Sequence, residues 1–446
     1  MRADEAARPR ERVTIALEGV TVVDVLRGEI AGPRTVTIRD GKITAIDTPD
    51  VVAVPPGAQR VDGHGRFLIT GLVDMHVHLF NNATKRAPNE WTFPLYVANG
   101  VTGVREMAAN ATSMPLIERW RAQAAAGELI APHVLAAGVV VNGKTLEESR
   151  RQVREARAAG ADFIKVFSHV REPHWRAILE QARTLRMPVC GHVPAEVTLL
   201  ESAAAGQRSN EHLTQLYEAC STVEACSLRA RKERDGDTIV KLRDAQEREV
   251  LASFDQLACE RTASAVANAQ QAQVPTLVLS HFEARGPLAD YAGDARFAYL
   301  RADEQARWHR ILKQGDFGGP NAAGRWEVSR QIVATLHAAG VRILAGTDAP
   351  MPLVYPGFAL HTELQLLVES GLTAAEALRA ATIWPAEFLG INETSGSVDV
   401  GKRADLLLLD ANPLSDISHT QRIHAVVLDG RLLDRADLDA LLQPSR

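Results

Sequence analysis

The sequence predicts an α/β fold: a (β/α)8 TIM-like barrel carrying a small β-sandwich domain built from both chain ends. Three observations predict it. Between residues 66 and 392, apolar strand-like segments alternate with amphipathic helical segments in eight units, the pattern of parallel strands joined by crossover helices. Both chain ends share one hairpin grammar, short apolar runs on either side of Asp-Gly. Neither end has enough apolar surface for its own core, so residues 12–65 plus 393–435 are expected to combine into one β domain interrupted by the barrel.

The elements follow in order. TVTIRD and KITAID flank Asp40-Gly41, a dipeptide suited to the positive-φ turn of a tight hairpin. The barrel strands are read as FLITGLVDMHV, VTGVRE, HVLAAGVVV, ADFIKVF, MPVCGH, QRSNEH, VPTLVL and VRILAGTD. Helices between them include SMPLIERWRAQAAAG, LEESRRQVREARAAG, EPHWRAILEQARTLR and WEVSRQIVATLHAAG, three of which end in a glycine suited to a helix C-cap. At the far end RADLLLLD is an apolar strand, and HAVVLD and RLLD flank Asp429-Gly430. Two connections, at about 213–272 and 281–323, are far longer than the rest; the first contains a long amphipathic helix or helix pair. Such insertions over a barrel mouth build substrate-covering lids or oligomer contacts, and a homo-oligomer is expected.

Composition narrows the function. The 446 residues are 46% hydrophobic and 24% charged, with 50 Lys plus Arg against 55 Asp plus Glu, a formal charge of −5. No single-sign tract favours nucleic acid or a membrane surface, and no apolar run is long enough to cross a bilayer. The polar start, MRADEAARPRERV, lacks the apolar centre of a secretion signal. A cytoplasmic enzyme acting on a small molecule is expected, periplasmic or secreted if a signal was trimmed. Cys190, Cys220, Cys226 and Cys259 form no CxxC pair, which argues against a cysteine zinc site; the last three share a helical region where one disulfide can form.

Alternate residues of a strand share a face, so Asp74, His76 and His78 should point into the barrel while Val73, Met75, Val77 and Leu79 point to its helices. Two imidazoles at a strand's C-terminal end can converge on a metal. Alone, the motif reads as well as a hydrogen-bonded pair at a strand exit. Lys165 shares a face with Phe163 and Phe167, which would aim its ammonium inward with Phe163 beneath. Burying an unpaired ammonium costs on the order of several kcal/mol and lowers its pKa. A partly neutral amine can add carbon dioxide, becoming an anionic carbamate able to bridge two metals; a lone lysine at a strand end more often snorkels to solvent. His192 in PVCGHVP, His212 in SNEHL and Asp348 in LAGTDAP close three further strands. Together these residues end strands one, four, five, six and eight and face one space, which satisfied core polar groups do not explain.

On these residues the chain resembles the amidohydrolase superfamily, within it the imidazolonepropionase-like and prolidase-like (Xaa-Pro or Xaa-Arg dipeptidase) branch. GLVDMHVHL is similar to that family's strand-one His-x-His, DFIKVF to its bridging lysine, CGHVP and NEHL to its strand-five and strand-six histidines, and AGTDAP to its strand-eight aspartate. LTAAEALRAATIWPAEFLGI and GSVDVGKRADLLLLDANPL are similar to its closing signature. The resemblance implies two divalent ions, zinc by ligand type. His76, His78 and Asp348 would hold the buried ion, His192 and His212 the exposed one, and N6-carboxylated Lys165 would bridge them. A water shared by two cations loses its proton near neutral pH, and Asp348 would act as general base and then acid. Asp74 would support the ligands.

The implied substrate is an amide whose leaving part carries a carboxylate, a dipeptide or N-acyl amino acid. A cyclic-amide or imidazolone hydrolase and an organophosphate triesterase use the same attack and remain alternatives; a non-catalytic barrel scaffold would be expected to lose ligands. Two departures, GVVVNGKTLEE where relatives often carry Gly-Gly-His-Gly and Glu106 where they often carry Asp, leave the metal site intact but do not allow a relative's substrate preference to be carried over to this chain. His169, Tyr217 and His281 lie just past strand ends and are candidates to bind substrate, each equally a loop residue facing solvent or a helix. His337, His361 and Trp384-Pro385 read as structural.

Overall fold

The computed structural model describes residues 13–48, 51, 54–80, 87–224, 244–285, 291–313 and 318–443. Its strands, in chain order, are β1 (Ile15–Asp24), β2 (Glu29–Arg39), β3 (Lys42–Asp47), β4 (Gln59–Asp62), β5 (Phe67–Thr70), β6 (Leu72–Val77), β7 (Val101–Ala109), β8 (His133–Val140), β9 (Phe163–Val166), β10 (Val189–Gly191), β11 (Ser209–Glu211), β12 (Ala272–Val274), β13 (Leu406–Leu409), β14 (Ile423–Leu428) and β15 (Arg431–Leu433).

The two chain ends meet in one eight-stranded sheet, ordered β15-β14-β13-β5-β1-β2-β3 with β4 also on β1. The Asp-Gly turns sit where the sequence puts them: Asp40 and Gly41 join β2 to β3 with φ of 51° and 74°, and Asp429 and Gly430 join β14 to β15 with φ of 50° and 74°. Register shifts in β1 between Leu17 and Val22 bend the sheet. Its inner face closes on a core of Ile15, Leu17, Val36, Ile38, Leu68, Leu406 and Val427.

The run FLITGLVDMHV, expected as one strand, is two. Phe67–Thr70 joins the terminal sheet through β13, and Leu72–Val77 opens the barrel beside β7. Gly71 sits between them because a Cβ there would lie 2.0 Å from Thr102 Oγ1.

The barrel is a parallel sheet ordered β12-β11-β10-β9-β8-β7-β6. Its eighth segment, predicted as a strand in VRILAGTD, closes the gap through isolated bridges, Gln273 to Ile343 and Val77 to Ala349, rather than a continuous ladder. Backbone bonds run from Gln273 N to Arg342 O, Leu344 N to Gln273 O, Met75 N to Ala345 O and Asp348 N to His76 O, all at 2.8–2.9 Å. The seventh strand lies earlier than VPTLVL predicts: β12 ends at Val274, Pro275 cannot continue the ladder, and Leu277–Ala284 is helical. The segment read as a helix or helix pair is a pair over its described part, Asp244–Ala252 and Gln256–Asn268, with the Asp255 carboxylate capping the second. Cys220 and Cys259 form a disulfide; Cys226 lies outside the described residues.

Two layers of side chains divide the barrel. Ile164, Val166, Val189 and Val77 face the helices. Phe163, Cys190, Met107, Ala136 and Leu344 fill the interior, together with Val73 and Met75, which strict alternation placed outside. A register irregularity between Asp74 and Val77 resets the alternation, so Met75 and His76 both contribute inward and Asp74 departs from the face expected for it.

Beneath the barrel, at the N-terminal end of β8, His133 Nε2 lies 3.1 Å from Asp405 Oδ2 and 3.4 Å from Asp429 Oδ1, while Arg403 Nε lies 2.9 Å from the same Asp405 oxygen. This charged cluster joins the barrel to the terminal sheet.

Candidate metal centre

The residues predicted to form the centre are delivered by the C-terminal ends of the barrel strands, the face on which this fold builds its sites. His76 lies near the end of β6 with His78 just beyond. Lys165 is in β9. His192 follows β10, His212 follows β11, and Asp348 sits in the closing segment. His212 and Asp348 adopt left-handed backbone, φ 58° and 67°, turning each side chain out of its strand direction.

They converge. His78 Nε2 lies 2.7 Å from Asp348 Oδ1, and His76 Nε2 lies 3.2 Å from the same oxygen. One ligand atom from each of the three lies within 4.8 Å of the others. The His212 ring packs 4.5 Å from His76 and 4.9 Å from His192, and His212 Nε2 is 4.0 Å from Asp348 Oδ1. Lys165 is fully buried with its Nζ 5.1 Å from the Phe167 ring, so the aromatic face it meets is Phe167's; Phe163 packs instead under Arg105, 5.6 Å from its guanidinium carbon.

The electrostatics suit cations. Among the described residues, Lys165 Nζ, His76 Nε2 and His192 Nδ1 are buried without a hydrogen-bond partner; the His76 contact to Asp348 is close enough but outside bonding geometry. Burial pushes the Lys165 amine down to about 8, against the pull of Glu211 and Asp348. Burial also holds His212 down to about 3 and His192 well below the usual imidazole range. Asp348 goes the other way: burial would raise it, but His212, His78 and His76 outweigh that and keep it well below the usual carboxylate range. Converging imidazoles, two of them (His192 and His212) held neutral, with an ionised carboxylate and an unpartnered amine form a donor set that fits divalent cations.

Glu211, Arg105 and Thr276, which the strand pattern did not single out, hold the centre in place together with Asp74 and Glu106. Glu211 Oε2 lies 2.8 Å from His76 Nδ1, and Arg105 Nη2 reaches both Glu211 oxygens at 2.9 and 3.0 Å. Thr276 Oγ1 lies 2.8 Å from His212 Nδ1. Asp74 acts through backbone: it accepts from His76 N at 3.1 Å, Thr347 N at 3.0 Å and Thr347 Oγ1 at 2.6 Å, tying β6 to the closing segment. The Glu106 carboxylate accepts from Leu79 N and Ala108 N, and burial lifts its pKa to about 7. Its place directly before the strand-end His212 was the only signal for Glu211; Arg105 precedes no histidine, and its strand offered no such signal.

The three candidate substrate contacts fall in different places. His169 stacks on Phe167, 5.7 Å away, beside the Lys165 and His192 contacts of that ring. Tyr217 and His281 face helix Ala322–Ala338 instead, the first through its hydroxyl to Ser329 Oγ at 2.8 Å, the second with its ring 5.0 Å from Trp326. His361 is buried between Thr420 Oγ1 and Asn99 O, as a structural histidine should be.

The amidohydrolase family profile matches residues 67–433, and the chain belongs to that family. The N-acetylglucosamine-6-phosphate deacetylase of Rattus norvegicus is 34% identical over 101 residues, 23% of this chain and 21% of that protein. The chain therefore aligns with about a fifth of the length of that curated relative. The dihydroorotase of Anaeromyxobacter sp. (strain K) is 30% identical over 192 residues, 40% of this chain and 41% of that one. Among solved structures, a Bifidobacterium longum protein provisionally named a prolidase superposes with TM-score 0.66 and 25% identity, covering 97% of this chain and 98% of its own. Among the described residues no helix is long and apolar enough to cross a membrane.

Proposed function

We propose that the protein is a binuclear metal-dependent hydrolase that cleaves the C–N bond of an amide in a dipeptide or N-acyl amino acid. One observation carries the reading: donor atoms of His76, His78 and Asp348 lie within 4.8 Å of one another beside the unpartnered, buried Lys165 amine. His76, His78 and Asp348 would hold one ion, His192 and His212 a second, and Lys165 would bridge them as its carbamate. In forming it, Nζ attacks carbon dioxide, an N–C bond forms and one proton leaves. Two such ions would acidify a bound water and polarise the scissile carbonyl.

The chain's own groups do the rest. Asp348 Oδ1, already 2.7 Å from His78 Nε2, would take the water's proton and return it to the leaving nitrogen, so that an amine departs rather than its anion. Glu211 and Thr276, on the far nitrogens of His76 and His212, would keep both rings oriented. The Phe167–His169 stack would wall one side and bear on the substrate. The dipeptide class rests on the sequence resemblance and on the Bifidobacterium longum neighbour. Cyclic amides are the second reading, favoured by the likeness to dihydroorotase.

The test is a panel of dipeptides, N-acyl amino acids and cyclic amides offered to zinc-loaded protein, with metal counted per chain. Turnover of linear amides with near two ions bound is expected, abolished in Asp348→Asn with much of the metal retained. An active Asp348→Asn variant would falsify the role given to Asp348, and cleavage of cyclic amides alone would move the substrate class.

A further inference from the structure

Arg105 and Glu211 are fully buried charges inside the barrel, and their arrangement has a direction. Arg105 Nε donates to Met75 O at 2.6 Å, its Nη1 donates to Ser209 Oγ at 3.2 Å, and its guanidinium lies between the Phe163 and Phe388 rings at 5.6 and 5.5 Å. The Ser209 hydroxyl donates to Glu211 Oε1 at 2.5 Å, and Arg105 Nη2 donates to both carboxylate oxygens. Each of these partners donates to Glu211, so Glu211 acts as an acceptor on every side.

The remaining contact is His76 Nδ1, 2.8 Å from Glu211 Oε2. If that nitrogen carried a lone pair, two acceptors would face each other in a dry interior, an arrangement that forfeits a hydrogen bond and leaves buried polar atoms unsatisfied. Nδ1 must therefore bring the hydrogen. A neutral ring then has its lone pair on Nε2, the atom that lies 3.2 Å from Asp348 Oδ1 without a hydrogen-bond partner.

We infer that Arg105 and Glu211 form a positioning pair that locks His76 as the Nδ1–H tautomer and so presents Nε2 as a metal-donor atom beside Asp348. The inference rests on the metal-centre reading above. It distinguishes this pair from a plain internal brace between β7 and β11, because a brace needs only that Arg105 keep an acceptor, whereas the lock needs an acceptor facing His76.

Glu211→Gln separates the two. It keeps volume and an oxygen for Arg105, but can turn its amide N–H toward His76 Nδ1 and reverse the tautomer. Zinc affinity measured by chelator competition on the folded protein is expected to fall about 10–100-fold at the tighter position, alongside a lower melting temperature of the metal-free protein because Arg105 loses its buried counter-charge. Glu211→Asp, which still offers an acceptor, should lose less. Nitrogen-15 imidazole correlations should show a protonated His76 Nδ1 in the parent and an unprotonated one in Glu211→Gln. An unchanged zinc affinity in Glu211→Gln, equal losses in the Gln and Asp variants, or a parent Nδ1 without a proton would overturn the lock. A parent chain that binds no zinc would instead overturn the metal-centre reading.

Discussion

Lys165 is the side chain whose chemistry most depends on its surroundings. A lysine at a strand end ordinarily reaches water, yet this one is buried, lies against Phe167 and has no hydrogen-bond partner among the described residues. An amine lowered to about 8 leaves a small neutral fraction near neutral pH, the form that can add carbon dioxide. Converting it to a carbamate removes an uncompensated buried cation and supplies an anionic oxygen to the space between His76, His192 and His212. Lys165→Ala is accordingly expected to lower kcat/KM more than a hundredfold, beyond the roughly 10–100-fold typical of outer partners. Acetate or propionate, small enough to fill the vacated volume, should restore part of it. Intact-mass measurement on the parent chain should show one added carbon dioxide; an unmodified parent with no rescue of the variant would sink the carbamate.

At the scale of elements, the centre depends on closing the barrel with a segment that is not a regular strand. The closing stretch is held by single bridges and by Asp74, whose carboxylate is pushed up to about 7 by burial in spite of its bonds to Thr347 and His76. Thr347→Val keeps the shape but removes the hydroxyl that donates to Asp74 and accepts from Ala349 N. It should destabilise the fold by about 1–3 kcal/mol, read as a lower urea midpoint at constant m-value; an unchanged midpoint would show that Asp74 is satisfied without it. The sequence makes the ligands visible because they stand at the ends of strand segments, and four segments that close on His or Asp beside a fifth that carries Lys165 have few other readings. Partners across the barrel are harder to see. Glu211 meets His76, 135 positions away, only because the sheet closes, and no local pattern encodes which strands become neighbours. Alternation also failed at Met75 and His76, where an irregularity turns consecutive residues inward; such irregularities concentrate beside active sites. VPTLVL failed for another reason: burial on both sides of β12 and of the following helix erases the periodicity that tells strand from helix.

Across the whole molecule, the terminal sheet and the barrel are coupled by charge as well as by packing. Asp405 lies just before β13 and Asp429 in the β14–β15 turn, and both face His133 at the bottom of β8, with Arg403 on the same Asp405 oxygen that His133 meets. Burial would lower the His133 pKa, but Asp405 and Asp429 outweigh it and raise it above the ordinary imidazole value, even with Arg403 opposing. Asp405 shows the converse: burial would raise it, and His133 and Arg403 hold it down. A raised imidazole stabilises the fold fully below its unfolded pKa of about 6.5 and loses that contribution as pH climbs through the folded value; a lowered carboxylate stabilises above about 3.8 and loses it on acidification. The joint should thus be tightest in mildly acidic solution and loosen toward alkaline pH. The urea-unfolding free energy of the parent minus that of His133→Gln isolates this contribution from other titrating groups. The difference should be largest near pH 5 and shrink steadily toward pH 8.5. A difference independent of pH would mean that His133 joins the two parts by shape alone, and one that grows with pH would reverse the sign of the coupling.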